Sequence, residues 1–114
     1  MAERMISPLE YELICRIIEY PVESRYPIVP IGADDVIEEI RGESTIRFRY
    51  GGEIRRRQKK YQVEAESLDV DGMTVHALLF VADGRVTELE MFKDDSSGII
   101  RLPSAEQWRC LDLG

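Results

Sequence analysis

The sequence is poor in the residues that carry most catalytic and metal chemistry. It has one histidine, His76, and two cysteines, Cys15 and Cys110, in 114 residues. Two cysteines do not make a disulfide framework, and the three positions lack the spacing of a zinc site. There is a single tryptophan, Trp108, and no apolar run near the roughly 20 residues of a membrane span. Met1-Ala2-Glu3-Arg4 lacks the apolar stretch of a secretory signal, so the cytoplasm is the expected compartment. Gly-rich phosphate loops and nucleophile elbows are missing. Positive charge is also short: 15 Lys and Arg against 22 Asp and Glu give a net charge of -7. That balance disfavours a general nucleic-acid binder, whose affinity rests on neutralising phosphates. No cofactor, metal ion or catalytic residue is expected.

What is present is enough for one α+β domain, 1–114, with 44% hydrophobic and 32% charged residues. Ser7 is a candidate N-cap, Pro8 fits the first helical position, and Glu10 completes a capping box. Ile6 and Tyr11 are placed for the hydrophobic staple. Leu9, Leu13, Ile14, Ile17 and Ile18 form one apolar stripe, and Pro21 ends the helix at about Tyr20. Pro21, Pro27 and Pro30 keep residues 21–35 loop-like. Residues 34–41 fit either a short helix capped by Asp34 or a strand turning at Gly42-Glu43.

The remainder reads as an antiparallel sheet. Ile46, Phe48 and Tyr50 alternate with Arg47 and Arg49, the period of a half-buried strand, and Gly51-Gly52 breaks it. Asp71-Gly72 and Asp83-Gly84 suit two-residue hairpin loops, which predicts strands over 59–70, 73–82 and 85–93 in a meander. Two-residue loops fix register. One face then carries Tyr61, Val63, Ala65, Leu78, Phe80, Leu89 and Met91 against the helix, with His76 on the same side near Met91 and Ser67 as a structural histidine. The other face carries Glu64, Glu66, Glu88 and Glu90 around Ala77, Leu79 and Val81, with Leu68, Val70, Met73, Val75 and Phe92 at one end. Because Ala77–Ala82 is apolar on both faces, something should cover part of the second face. The tail residues Ile99, Ile100, Leu102, Trp108, Leu111 and Leu113 are candidates, as is a partner chain.

The glutamates have a plain reading and a sharp one. Arg47 and Arg49 beside Glu64 and Glu66 would make a ladder of cross-strand ion pairs on a wet face. The sharp reading is a carboxylate pair for acid–base work or a metal, but the predicted register leaves no histidine on that face. Asp69-Val70-Asp71-Gly72 resembles the start of a calcium loop and lacks its third ligand and closing glutamate. Eight of the 15 basic residues fall between Arg41 and Lys60 against two glutamates, so this window is +6 and the rest -13. Arg55, Arg56, Arg57, Lys59 and Lys60 are therefore the candidate nucleic-acid contacts, against the plainer role of protecting a sheet edge.

Asp71-Gly72-Met73, Asp83-Gly84 and Glu88-Leu89-Glu90-Met91-Phe92-Lys93-Asp94-Asp95, with Ser97 and Pro103 following, resemble a family of small bacterial proteins of unknown function. Its pattern is D-G-V followed by E-L-D-x-W-K-x-D-x-S; Glu90 stands here for the Asp and Phe92 for the Trp. The resemblance implies an α+β fold and a bacterial origin, carries no activity, and favours a strand over 34–41 through its loose match at Arg41-Gly42-Glu43-Ser44.

The expected fold is an N-terminal helix packed on a four- or five-stranded antiparallel meander sheet. The expected function is a non-enzymatic protein-binding module, immunity-like or regulatory, that uses Glu64, Glu66, Leu79, Glu88, Glu90 and Phe92. Its partner would be another protein or a second copy of the chain as a homodimer. Nucleic-acid contact through residues 55–60, and an enzyme using the glutamate face, are the alternatives.

Overall fold

Local chemistry starts the helix where the sequence predicts. The Glu10 N–H donates to Ser7 Oγ (3.2 Å) and the Ser7 N–H donates to Glu10 Oε1 (2.9 Å), so two otherwise unpaired donors are satisfied reciprocally. Helix α1 runs Pro8–Glu19 and ends at Tyr20, just before Pro21. The computed structural model describes residues 2–21, 28–40, 44–48 and 59–112, leaving aside the side chains of residue 2 and of residues 59–62. The expectations for Tyr26, Pro27, Arg49, Tyr50, Leu113, the Tyr61 side chain and the turns at Gly42 and Gly51-Gly52 lie outside the described residues.

The strands are β1 (Ala2–Met5), β2 (Val36–Glu39), β3 (Ile46–Phe48), β4 (Lys59–Leu68), β5 (Thr74–Ala82), β6 (Arg85–Lys93) and β7 (Arg109–Asp112). They form a seven-stranded sheet in the order β1-β2-β3-β6-β5-β4-β7. All six pairings are antiparallel. The fold is α+β as expected, but the sheet is larger than four or five strands. Residues 36–39 are a strand, and the additional strands are short edges, β1 and β7, whose four residues each are too few to show a period. The meander covers only β4–β6, and β3 lies beside β6 rather than β4, so Arg47 faces Glu88 instead of the β4 glutamates.

Helix α1 buries Leu13, Ile14 and Ile17 against one face of the sheet, formed by Ile37, Ile46, Phe48, Val63, Ala65, Val75, Ala77, Leu79, Val86, Leu89 and Met91. The faces of β4 and β6 are as predicted, but that of β5 is inverted. Ala77 and Leu79 are fully buried, whereas His76, Leu78 and Phe80 are only half-buried on the other face.

Two register shifts cause the inversion. Asp83-Gly84 is the predicted two-residue loop, with positive φ at both residues (51° and 78°) and Ala82 opposite Arg85. Beyond it, Val81 pairs Val86 while Phe80 pairs Glu88, so Thr87 is an extra residue, a β-bulge. Asp71-Gly72 is not a two-residue loop. Leu68 pairs Thr74, and the Gly72 N–H donates to the Asp69 carbonyl (2.9 Å) in a longer turn. Each shift is one residue, and a one-residue slip exchanges faces.

The tail docks on the helix side, not on the second face. Trp108 is 1% exposed, joins the core cluster with Cys110, Ile99 and Leu102, and donates its Nε1–H to the Pro103 carbonyl (3.2 Å). The Arg16 Nε–H donates to the Trp108 carbonyl (3.0 Å), tying α1 to the chain just before β7. Leu111 reaches the second face only because β7 pairs with β4, and Ile100 is exposed.

Candidate functional site

The sheet face opposite α1 is built by alternation from six strands. Register places Glu38, Arg47, Glu88 and Phe80 in one row, Glu90, Leu78, Glu64 and Leu111 in the next, and Phe92, His76, Glu66 and Arg109 in a third. Every one of these residues is half-buried or exposed. The face is therefore a solvated platform carrying an acidic excess around Leu78, Phe80 and Phe92.

His76 sits among carboxylates. Its Nδ1 lies 2.8 Å from Glu64 Oε2 and its Nε2 lies 2.6 Å from Asp94 Oδ1. Each ring nitrogen is thus within hydrogen-bond distance of a carboxylate oxygen, an arrangement that favours the protonated ring. Burial pushes the His76 pKa down, but hydrogen bonds to the Glu64 and Asp94 carboxylates outweigh it and hold the pKa above the usual histidine value. Phe92 stacks on the ring with centroids 5.0 Å apart and planes 21° apart, which fixes its orientation. Glu66, directly opposite His76, is held by the Arg109 guanidinium.

The predicted contact residues are thus mostly brought together. Glu64, Glu66, Glu88, Glu90 and Phe92 share the face, with Glu88 paired to Arg47 (Nε to Oε1 3.3 Å). Leu79 is a correction: the β5 inversion buries it completely in the core, and Leu78 takes the expected position. His76 is the second correction, since the same inversion carries it from the core face into the glutamates. A local signal was available, because Thr74-Val75-His76-Ala77 alternates polar-out and apolar-in. Asp94 and Arg109 carried no such signal, since their roles depend on a strand end and on β7. Arg55, Arg56 and Arg57 lie outside the described residues, as do the side chains of Lys59 and Lys60, whose backbone opens β4.

The calcium-like segment has its own cation. Lys93 Nζ, fully buried, donates to Asp69 Oδ2 (3.0 Å) and Asp71 Oδ2 (2.7 Å). Burial would raise the Asp69 carboxyl, but the backbone N–H of Ile100, the Lys93 ammonium and the N–H groups of Val70 and Arg101 hold it well below the carboxylate range. This knot joins the β4–β5 turn to the end of β6 and to the tail, so it is structural. Both cysteines are free, Cys15 half-buried and Cys110 buried.

No helix among the described residues is long and apolar enough to cross a membrane. No curated protein matches the chain, and no solved structure does. A model of a domain of unknown function, DUF6984, matches residues 3–103, which include α1, β2–β6 and residues Glu64, Glu66, His76, Phe92 and Asp94. The chain belongs to this family of uncharacterised domains, DUF6984.

Proposed function

We propose that this chain is a non-enzymatic protein-binding module that docks a basic protein surface on its open sheet face. One observation carries the reading: the face opposite α1 combines half-exposed apolar side chains with unburied glutamates across the width of the sheet. Leu78 and Phe80 are half-buried and Phe92 is 42% exposed, flanked by Glu64, Glu66, Glu88 and Glu90. Aromatic anchors inside a charged rim are the composition of an interface. The acidic excess selects a basic partner, and it disfavours self-pairing through this face because like charges would meet. An enzyme is less well supported. The clefts of about 430 and 300 Å3 on this face are lined by Glu66 and by Glu90 respectively, one of these four glutamates in each. The E-L-E-M-F-K-D-D resemblance supports a bacterial origin, and the net charge of -7 with the mixed sheet face supports an immunity-like or regulatory role.

The test compares wild type with Glu88→Lys/Glu90→Lys as baits in lysate, with and without nuclease, then repeats binding with the purified partner. The expected result is one stoichiometric protein that survives nuclease and binds the variant at least tenfold more weakly, while the variant stays folded and loses only the melting temperature due to the Arg47–Glu88 pair. Equal capture by the variant, or only nuclease-sensitive capture, would overturn the reading.

A further inference from the structure

We propose that Glu64, Glu66 and His76 form a site for one divalent transition-metal ion, with Asp94 as the positioning residue for the imidazole. Each of the three offers a ligand atom, and these atoms lie within 4.8 Å of one another. An imidazole nitrogen with two carboxylate oxygens suits zinc and its first-row neighbours better than calcium or magnesium, which prefer all-oxygen shells. A tetrahedral ion about 2.0–2.2 Å from each ligand sets the ligand atoms roughly 3.3 Å apart. Side-chain rotations that move them by about an ångström close the present set onto such an ion.

The scaffold favours this chemistry. Glu64 and Glu66 are two residues apart on β4 and so project from the same face, and His76 stands directly opposite Glu66 on β5. All three belong to paired inner strands of the sheet. Asp94 Oδ1 lies 2.6 Å from His76 Nε2, the nitrogen remote from Glu64. A carboxylate on the remote nitrogen is the usual outer partner of a metal-ligating histidine. It keeps the proton on that nitrogen and turns the other lone pair toward the metal. Phe92 fixes the ring plane from its stacked position. The cation now on Glu66 is the Arg109 guanidinium, whose side chain is 73% exposed and free to leave. The half-buried cluster leaves the remaining coordination position to water.

The metal site shares Glu64 and Glu66 with the docking face, but its test uses the purified chain with no partner present, so the two readings fail separately. Co2+ is titrated into the full chain and followed by visible absorption and by NMR. His76 is the only histidine, so one pair of ring-proton signals reports the site. The expected result is one Co2+ per chain without a thiolate charge-transfer band, displaced by Zn2+, with His76 signals shifted by the paramagnetic ion. His76→Gln should weaken binding at least 100-fold, and Asp94→Asn by about 10–100-fold. Glu12→Gln, exposed on α1 and away from this face, should change it less than twofold. If His76→Gln does not fold, Glu66→Gln replaces it with the same expectation. Absence of binding at millimolar Co2+, a thiolate band from Cys15 or Cys110, or unshifted His76 signals would each overturn the proposal.

Discussion

Replacing Trp108 tests where the tail lies, and therefore whether the second sheet face is open. The indole is 1% exposed and sits with Leu13, Ile14 and Ile17 of α1 in the core. Truncating a buried tryptophan to alanine costs about 3–5 kcal/mol in lost burial and cavity formation. The Pro103 carbonyl also loses its Nε1–H donor. A domain of this length loses about 4 °C of melting temperature per kcal/mol, so Trp108→Ala should fall by about 12–20 °C. Trp108→Phe keeps most of the volume and loses the hydrogen bond and some area, which predicts about 1–2 kcal/mol, or roughly 4–8 °C. Far-UV circular dichroism melts read both, since the variants remove the only tryptophan. Wild-type fluorescence should be shielded from acrylamide. The His76 ring signals should stay in place in Trp108→Phe, because the indole and the imidazole are on opposite faces. A drop under about 4 °C for Trp108→Ala, or displaced His76 signals in Trp108→Phe, would refute this placement.

Other expectations concern buried charge. Lys93→Met leaves Asp69 and Asp71 without their shared ammonium and should lower the melting midpoint by roughly 10 °C or more. Asp71→Asn, at the exposed end of the knot, should cost far less, and equal effects would contradict the buried arrangement. Burial pushes the Glu10 carboxyl up, but the bidentate Arg4 guanidinium and the Ser7 N–H hold it below its ordinary 4.5. A depressed carboxyl contributes stability above its unfolded pKa and loses it as pH falls through the folded value. Glu10→Gln should therefore cost about 1–2 kcal/mol at pH 7, discounted for the partly exposed Arg4, and the gap from wild type should close in acid. Denaturant unfolding at pH 7 and pH 3 measures it; a constant gap would exclude the ion pair as the cause.

The elements whose chemistry is local were legible in the sequence. Ser7-Pro8-Leu9-Glu10 states a helix start in four residues, and Asp83-Gly84 states a two-residue loop, both realised atom by atom. The strands 59–70, 73–82 and 85–93 differ from the observed ones by no more than two residues at any end. Elements that depend on distant partners were not legible. Strand β7 exists because β4 offers an edge, and β1 because Arg4 bridges Glu10 and Glu39. The Asp69 turn departs from a simple hairpin because its carboxylate is committed to the tail N–H groups of Ile100 and Arg101, some 30 residues away. The candidate site was half legible for the same reason. Glu64, Glu66, Glu88 and Glu90 follow from alternation within β4 and β6, whereas His76 follows from β5, the strand both register shifts invert.

That inversion bears on why the second face looks as it does. The run Ala77–Ala82 would accept either orientation by hydropathy, and the alternative register would bury Leu78 and Phe80 in place of Ala77 and Leu79. Val75 would leave the core with them, and at about 1.5–3 kcal/mol for each large side chain the exchange of Val75, Ala77 and Leu79 for Leu78 and Phe80 changes little, so burial alone hardly favours that alternative. Two features oppose it. His76 would enter the core, away from Glu64 and Asp94, and a polar ring there is costly without its partners. The small pair Ala65 and Ala77, facing each other across β4 and β5, would also be lost from the layer beneath α1, where they leave room for the helix and Trp108. The Thr87 bulge, with its hydroxyl donating to the Phe80 carbonyl (3.2 Å), sets the observed phase. Its consequence is that Leu78, Phe80 and Phe92 remain only partly covered around a histidine set among carboxylates. Leu78 and Phe80 thus stay on the open face beside Phe92 because His76 keeps its carboxylate partners and Ala77 its place beneath α1, and partly exposed apolar side chains of this kind suit a binding face.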